Sequence, residues 1–359
     1  MTAQAVLNRD EAIKQPADGL KESWTQMRRE QPRLRIRTAA EQLGVSELAL
    51  LLTQMEQRVQ PLGGDFAEML TSIESVGRVM ALTRNDQAVH ERHGVYHDFK
   101  ANAAGVMGLC LGEIDLRVFF KHWRHAYAVT EGADEQPRRS IQFFDASGTA
   151  THKIYATEHT DMAAWDQWIN AHLAVDAELF FMPEAKTPPL YPNTGNVTED
   201  DVRQPWSELK DVHHFNAMLS KLGIDRLEAL QLAGQEYAHR LPTDAMEQAL
   251  RFAANCQLEI MAFVGNDGVV QIHTGTVNKL LRTGPWFNVL DPNFNLHLNT
   301  EQMASCWAVR RPTSDGVVTS LECFNHERKL VLTLFGARKP GKLELTEWRE
   351  LVASVENLS

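Results

Sequence analysis

Cysteine is scarce in this chain of 359 residues, and the four that occur, at positions 110, 256, 306 and 323, show no Cys-x-x-Cys spacing. This absence excludes a zinc ribbon and is typical of proteins from a reducing compartment. No run of about 18 apolar residues occurs, so no membrane span is expected. The first residues also lack a basic segment followed by an apolar core, which argues against a secretory signal. We therefore expect a cytoplasmic protein.

Positive charge is also in short supply, with 36 Lys and Arg against 47 Asp and Glu, for a formal net charge of −11. Broad binding to nucleic acids or anionic membranes needs a positive field, so both are disfavoured. A small local cluster of basic residues for a small anionic ligand remains compatible with this balance. The content of 43% hydrophobic and 23% charged residues is typical of a globular protein.

Several enzyme motifs are missing: Gly-x-Gly-x-x-Gly after a strand, the Walker loop, Gly-x-Ser-x-Gly and His-Glu-x-x-His. The segment His90–His97 is rich in histidine and resembles a metal site at first sight. Its position in the repeat described next predicts a strand, and a strand sends residues three apart to opposite faces. The pattern therefore argues against a zinc site there.

An internal duplication is the main architectural signal. Val79–His90 recurs as Ile260–Gln271, 181 positions later, and other matched segments are separated by 179 to 182 positions. The sequence therefore predicts two related halves, residues 20–185 and 202–356, joined by a linker over 186–201.

Each half begins with helical periodicity, over 20–75 and 205–256, and continues with alternating strand-like segments bounded by turn residues. Trp286–Leu290 and Phe294–Leu298 predict a hairpin, and helices are expected near 162–173 and 344–355. Successive strands with short turns favour antiparallel sheets. The predicted class is α+β, with N-terminal helices and a large antiparallel sheet in each half.

The dipeptide His213-His214 lies near the start of the second half, on a segment that is interpreted as a helix. At about 100° per residue, neither histidine falls on the apolar stripe of that helix. The stripe consists of Leu209, Val212, Phe215, Leu219 and Leu222. A neutral imidazole away from the core is a good ligand for iron.

Four arginines that follow the histidine pair could bind the carboxylates of a ligand. They are Arg226, Arg310, Arg311 and Arg338. Guanidinium groups bind carboxylates as forks, so this set with a histidine suits a flat apolar cofactor that carries two carboxylates. Each arginine alone is most often a solvated surface residue.

The chain resembles the cytoplasmic haem-utilisation proteins of Gram-negative bacteria, the hemin-degrading or haem-transport family of HemS, ChuS, PhuS and HmuS. The resemblance spans about residues 20–355. It rests on the segments Leu82–Asn85, Ala88–Glu91, Ile114–Arg117, Arg139–Asp145, Thr160–Trp165, Asp211–His213, Val270–Gly275, Phe294–Leu298, Arg311–Gly316 and Phe335–Arg338.

The resemblance implies haem b as the bound group and assigns roles by position. His213 is the proximal iron ligand, and Arg117 approaches the distal side of the haem. Arg226, Arg311 and Arg338 hold the propionates, and Phe119 and Phe335 wall the ring. His90 matches a second, N-terminal site proposed in the family.

This chain departs from the family at two positions. It has Arg311 where relatives usually have Lys, which keeps the charge and adds a bidentate fork. It also has His214 where some members have Gln. His214 is an alternate or hand-off ligand in one interpretation and a solvated helix residue in the other.

The resemblance implies two functions of different classes. In the first, which we favour, the protein is a haem carrier that receives imported haem and passes it to a haem oxygenase, with that oxygenase or an inner-membrane importer as its partner. In the second, the protein itself degrades haem with O₂ and electrons, and Arg117 takes part in catalysis. No flavin or NAD motif is visible, so a reductant would come from outside. A structural or regulatory module without haem is a third interpretation.

Overall fold

The structure is a computed structural model that describes residues 19–32, 34–54, 58–132, 137–174, 183–338 and 341–357. Within these ranges the chain forms two nine-stranded sheets, and helices accompany the strands of each half. The paired strands are antiparallel throughout the recorded registers. The α+β prediction is confirmed.

In the first half, residues 19–30 are helical and short helices follow before the sheet begins. Ser46 and Asp65 cap two of these helices, each by accepting backbone N–H groups of the first turn. The elements are α1 (Ile36–Leu43), α2 (Glu47–Leu52), β1 (Val59–Leu62), α3 (Phe66–Ser72), β2 (Gly77–Arg84), β3 (Ala88–Gly94), β4 (Lys100–Ala101), β5 (Met107–Cys110), β6 (Asp115–Phe119), β7 (His125–Glu131), β8 (Arg138–Phe144), β9 (Ala150–Thr160) and α4 (Met162–Ala171).

The second half repeats this order of helices and strands. Its elements are α5 (Glu199–Ser207), α6 (His214–Leu222), α7 (Arg226–Ala233), β10 (Ala238–Leu241), α8 (Ala245–Cys256), β11 (Ile260–Gly265), β12 (Val269–Gly275), β13 (Leu280–Thr283), β14 (Trp286–Asp291), β15 (Phe294–Asn299), β16 (Met303–Thr313), β17 (Gly316–Asn325), β18 (Leu330–Gly336) and α9 (Thr346–Glu356). Short 3₁₀ helices occupy Ile73–Val76, Phe120–His122 and Thr300–Gln302.

The strand orders of the two sheets correspond element by element. One sheet runs β1-β7-β8-β9-β2-β3-β15-β14-β13, and the other runs β10-β16-β17-β18-β11-β12-β6-β5-β4. Each strand of one sheet thus takes the place of its repeat equivalent in the other, as the duplication predicts. The predicted hairpin is confirmed, since Trp286 pairs with Asn299 and Asp291 with Phe294.

The compact units of the chain are not its two contiguous halves. One unit holds the described residues up to Ala81 together with Gly94–Leu111 and Val118–Lys186. The other holds Leu82–His93, Gly112–Arg117 and the described residues from Thr187 onward. Within this second unit, β3 of the first sequence half pairs with β15, which places His90 opposite Leu296. The exact repeat and linker boundaries remain predictions.

The core of the second unit has two apolar clusters that matter for the site. In the larger, α8 buries Ala245, Met246, Ala249, Leu250 and Ala253, spaced by one, three and four residues, against the sheet. The smaller cluster surrounds α5, α6 and α7 and joins them to β16 and β17. Its bulky members are Trp206, Phe215, Trp307 and Phe324.

Two sequence predictions of continuous helix are wrong in part. The short strands β1 and β10 interrupt the ranges 20–75 and 205–256. Pro61 obscures β1 in the sequence, yet a proline is tolerated because β1 lies at the edge of its sheet. The predicted helix around His213 is also broken, since residues 208–213 form a turn between α5 and α6.

A pair of repeat-related asparagines holds two hairpin turns together in the second unit. Asn85 donates its side-chain N–H groups to the carbonyls of Gly265 and Val331 at 3.2 and 2.8 Å. Asn266, 181 positions later, donates to the carbonyl of Arg84 at 2.9 Å. Each Oδ1 also accepts backbone N–H groups of its own turn. The duplicated motif therefore stabilises the junction reciprocally.

We expect Asn85→Ala to lower the free energy of unfolding by about 2 kcal/mol, because it leaves half-buried backbone groups without partners. Urea unfolding followed by circular dichroism measures this change. Asn170→Ala on α4 is the control, since Asn170 is exposed. Equal stability of the two variants would contradict the structural role of Asn85.

Candidate functional site

His213 lies at the end of the turn that separates α5 from α6, and its side chain is 86% exposed. Asp211 sets the shape of this turn. Its Oδ1 accepts the backbone N–H of His213 at 2.8 Å and contacts the ring Nδ1 at 2.5 Å. Short-range aspartate–backbone bonds of this kind favour turns over helix, which explains why the predicted helix is broken here.

The contact with Asp211 determines which ring nitrogen of His213 is available. A carboxylate only accepts hydrogen bonds, so Nδ1 carries the proton and Nε2 keeps its lone pair in the neutral ring. The backbone N–H of His213, with its ring N–H, lowers the pKa of Asp211 below its ordinary value. A carboxylate bonded to the far ring nitrogen is usual for a metal-ligating imidazole, because it fixes the tautomer and orients the ring. The exposed Nε2 of the neutral ring is thus the nitrogen available to a metal ion.

His214 is the first residue of α6 and is exposed as well. Of the predicted apolar stripe, Leu209, Phe215 and Leu219 are buried, as expected. Both histidines therefore lie on the solvent side of the segment, which confirms this part of the sequence analysis.

The tip of the β16–β17 hairpin supports the turn that carries His213. Ser314 donates its backbone N–H and its hydroxyl to the carbonyl of Lys210 at 3.0 and 3.2 Å. The neighbouring Asp315 accepts from Arg338 at 3.3 Å and from the backbone N–H of Gly341 at 3.0 Å. The tip of this hairpin thus bonds both to the turn that carries His213 and to Arg338, an arginine predicted to bind a propionate.

Glu322, fully buried on β17, holds two of the predicted arginines. Its Oε2 accepts from Nη1 of Arg226 at 2.9 Å, and its Oε1 accepts from Nη2 of Arg311 at 2.6 Å. Ser320 accepts from Arg311 at 2.9 Å and donates to Glu322 at 3.0 Å. The group carries one negative and two positive charges and has a polar partner for each carboxylate oxygen.

The pKa values of this group follow from burial and from the mutual attraction of its charges. Burial alone would raise the pKa of Glu322, but Arg226 and Arg311 outweigh it and lower the pKa to about 2. Burial lowers the pKa of Arg311, and Glu322 opposes this effect. Glu322 is therefore ionised throughout the physiological range.

Phe215 connects the buried charges to the helix that follows His213. Its ring lies under the guanidinium carbons of both arginines, at 4.4 Å from Arg311 and 5.1 Å from Arg226. Arg226 also donates to Asn216 in the first turn of α6 at 3.1 Å. The guanidinium of Arg226 therefore lies beside the turn of helix that begins at His214.

The three arginines predicted to bind the propionates differ in how far their side chains are exposed to solvent. The side chains of Arg226 and Arg338 are 24% and 16% exposed, whereas that of Arg311 is 3% exposed. The Nη atoms of Arg311 are engaged by Ser320 and Glu322. Arg226 and Arg338 therefore keep an accessible part of the side chain for a further carboxylate, whereas Arg311 is almost fully enclosed.

The remaining predicted residues lie on strands. Arg117 on β6 is 33% exposed and donates Nη1 to Asp115 and, at 3.1 Å, to the carbonyl of Leu116. Phe119 ends the same strand and is half-buried. Phe335 on β18 is half-buried and meets Phe263 with ring centroids 5.3 Å apart. Their contacts with a haem remain predictions.

His90 lies on β3 and is fully buried, with its ring 4.9 Å from that of Phe294. Its imidazole is therefore not accessible from solvent in this structure. Within the described ranges no group of three or more His, Cys, Asp or Glu side chains forms a metal site. The strand predicted for the segment His90–His97 is confirmed up to Gly94, where β3 ends.

Sequence reasoning missed Asp211, Glu322 and Ser314. A comparison of the two repeats could have pointed to Glu322. Its equivalent in the first half is Gln142, a neutral buried residue bonded to Ser140 at 3.0 Å. Likewise Arg226 corresponds to Glu47, 179 positions earlier, which forms a buried pair with Lys153. The two halves therefore differ in charge at both repeat positions, and this difference is visible in the sequence.

Ionised Glu322 stabilises the folded protein, since its pKa lies below the ordinary value of 4.5. This contribution is complete above about pH 5 and is lost as the pH falls towards about 2. We expect Glu322→Gln to lower the free energy of unfolding by about 3 kcal/mol at pH 7, with a smaller difference from wild type at pH 3.

Urea unfolding at several pH values checks this expectation. Glu327→Gln is the control, because it removes only an exposed carboxylate 2.6 Å from Lys329. That change should stay within about 0.5 kcal/mol. If the difference in free energy of unfolding between wild type and Glu322→Gln did not depend on pH, the arginines would not be keeping Glu322 ionised.

The comparisons with known proteins agree with the duplicated architecture. Residues 44–172 and 223–355 each match one family, the Haemin-degrading HemS.ChuX domain. The chain is 36% identical over 341 residues to the hemin transport protein HemS of Yersinia enterocolitica, covering 94% of this chain and 97% of that protein. The structure of holo-PhuS, a haem-binding protein from Pseudomonas aeruginosa, matches with a TM-score of 0.91 at 41% identity. ChuS, an E. coli haem oxygenase, matches with a TM-score of 0.84 at 34% identity. Both matches cover 94% of this chain and 99% of the other chain.

Proposed function

The chain belongs to the haemin-degrading HemS/ChuX family, and from this premise we propose that it binds haem b in the cytoplasm and carries it within an iron-acquisition system. The haem is cargo in this proposal. His213 binds the iron, and Arg226 and Arg338, with Arg311 behind them, attract the propionates. Arg117 approaches the distal side, and Phe119 and Phe335 contact the ring.

The observation that carries the proposal is the His213–Asp211 pair. Asp211 Oδ1 lies 2.5 Å from Nδ1 of His213 while the imidazole is 86% exposed, so the neutral ring offers the lone pair of an accessible Nε2. A histidine serving only solubility would not need a carboxylate that orients its ring. His90 is left out of the proposal because it is buried in the core.

The partners that fit a carrier are a protein that delivers haem and one that consumes it. We propose an inner-membrane haem importer and a haem oxygenase for these roles. The net charge of −11 is suited to docking on a basic protein and unsuited to nucleic acid. Within the described ranges, no helix of the chain is long and apolar enough to cross a membrane.

We expect His213→Ala to weaken haem binding on the order of 100-fold and to shift the Soret band, because the proximal ligand is lost. Titration with haem followed by absorbance measures both effects. His326→Ala is the matched control, since His326 is also exposed. Its affinity and spectrum should equal those of wild type.

His214→Ala and the double variant separate the two interpretations of His214. An alternate ligand would keep a histidine-bound spectrum in His213→Ala and lose it in the double variant. Unchanged spectra and affinity in His213→Ala would rule out His213 as the main ligand.

Haem degradation is the second candidate function, favoured by the similarity to ChuS, an E. coli haem oxygenase. This reaction needs a donor near the distal side of the haem, and Arg117 is the residue for that role. The contacts of Arg117 with Asp115 and Leu116 keep one of its nitrogens engaged on its own strand. We therefore favour the carrier.

Turnover with catalase present distinguishes the two functions. The protein is loaded with haem and given an electron donor and O₂, and the absorbance of bile pigments is recorded. A carrier should form no pigment under these conditions, whereas it should transfer haem to an added haem oxygenase. Pigment that forms despite catalase and disappears in Arg117→Ala would establish the enzyme.

A further inference from the structure

The buried carboxylate of Glu322 uses hydrogen-bond donors of two arginines that are expected to bind propionates. Its oxygens accept from Arg226 at 2.9 Å and from Arg311 at 2.6 Å. A propionate presents the same chemical group as the Glu322 side chain. Each guanidinium N–H that points to Glu322 is therefore not offered to a ligand at the same time.

The arginines remain attractive to a second carboxylate, but less so than without Glu322. Glu322 cancels one of their two positive charges, and it does so from a position with no solvent exposure, where charges are poorly screened. Arg226 keeps a side chain that is 24% exposed and lies beside Asn216 on α6. It is thus the member of the group that faces both the internal carboxylate and the surface next to the histidines.

We infer that Glu322 is an internal competitor of the haem propionates, which weakens the hold of Arg226 and Arg311 on haem and speeds its release. The inference rests on the proposed haem-binding function. A carrier must give up its ligand, and an internal carboxylate that takes back the guanidinium groups lowers the cost of release.

The first half of the chain shows that this position folds without a charge. Gln142 is the repeat equivalent of Glu322 and is also buried, with Nε2 donating to Ser140 at 3.0 Å. Ser320, the equivalent of Ser140, lies beside Glu322 in the same arrangement. Glu322→Gln therefore keeps the bond to Ser320 that the first half also shows, while Arg226 and Arg311 lose their carboxylate partner.

The test measures the rate at which haem leaves the loaded full-length protein for an excess of apomyoglobin. We expect release from Glu322→Gln to be about tenfold slower than from wild type, with an unchanged Soret band because His213 is untouched. Faster or equal release from this variant would overturn the inference.

Release of haem dimethyl ester distinguishes competition with propionates from a general structural effect of the substitution. Its esterified side chains carry no charge, so they cannot compete with Glu322 for a guanidinium. The difference between wild type and Glu322→Gln should vanish with this ligand. A tenfold difference that persists with the ester would contradict competition with propionates.

Two further variants guard against misfolding. Arg311→Met and the double variant Arg311→Met/Glu322→Gln test the same effect without an unpaired buried arginine. The double variant should release haem more slowly than Arg311→Met. Glu47→Gln breaks the buried pair with Lys153 at the repeat position of Arg226. It should leave the release rate unchanged, and equal slowing by this control would overturn the inference. If wild type gave no Soret band on haem titration, the proposed function itself would fail.

Discussion

The buried ion group of Glu322, Arg226 and Arg311 organises the region in which the candidate site lies. A carboxylate with no solvent exposure is tolerated only because two guanidinium groups and Ser320 satisfy both of its oxygens. The group joins β16 and β17 to the first residue of α7, and Phe215 brings α6 against the same cations. The helix that follows His213 is thereby held to the sheet by charge and by aromatic contact together.

The histidine turn depends on this support, although none of its own bonds is buried deeply. Asp211 bonds to His213, and Ser314 holds the turn from the tip of the β16–β17 hairpin. The tip of the β16–β17 hairpin therefore holds the turn that carries His213 and, through Asp315, also binds Arg338. A rigid sheet below a short turn leaves the imidazole exposed while its direction stays defined.

The two repeats share their architecture and differ at positions of the candidate site. The asparagines Asn85 and Asn266 still make equivalent bonds in both repeats, because each closes the same kind of hairpin turn. At the buried charged positions the halves differ, with Glu47 and Gln142 where the second half has Arg226 and Glu322. Glu47 pairs with Lys153 in the first half, whereas Arg226 pairs with Glu322 in the second, so the two halves place opposite charges at this repeat position.

Local periodicity and repeated motifs were sufficient to predict the duplication, the α+β class, the hairpin of β14 and β15 and the exposure of His213 and His214. The sequence also pointed to Arg226, Arg311 and Arg338. The tertiary contacts were needed to show that Arg311 is buried, that Glu322 binds Arg226 and Arg311, and that His90 is buried in the core. These outcomes depend on partners far apart in the chain, such as Arg226 and Glu322 at a separation of 96 positions. The break before His213 was also hidden, since the bond from Asp211 competes with a helix that the apolar spacing favours.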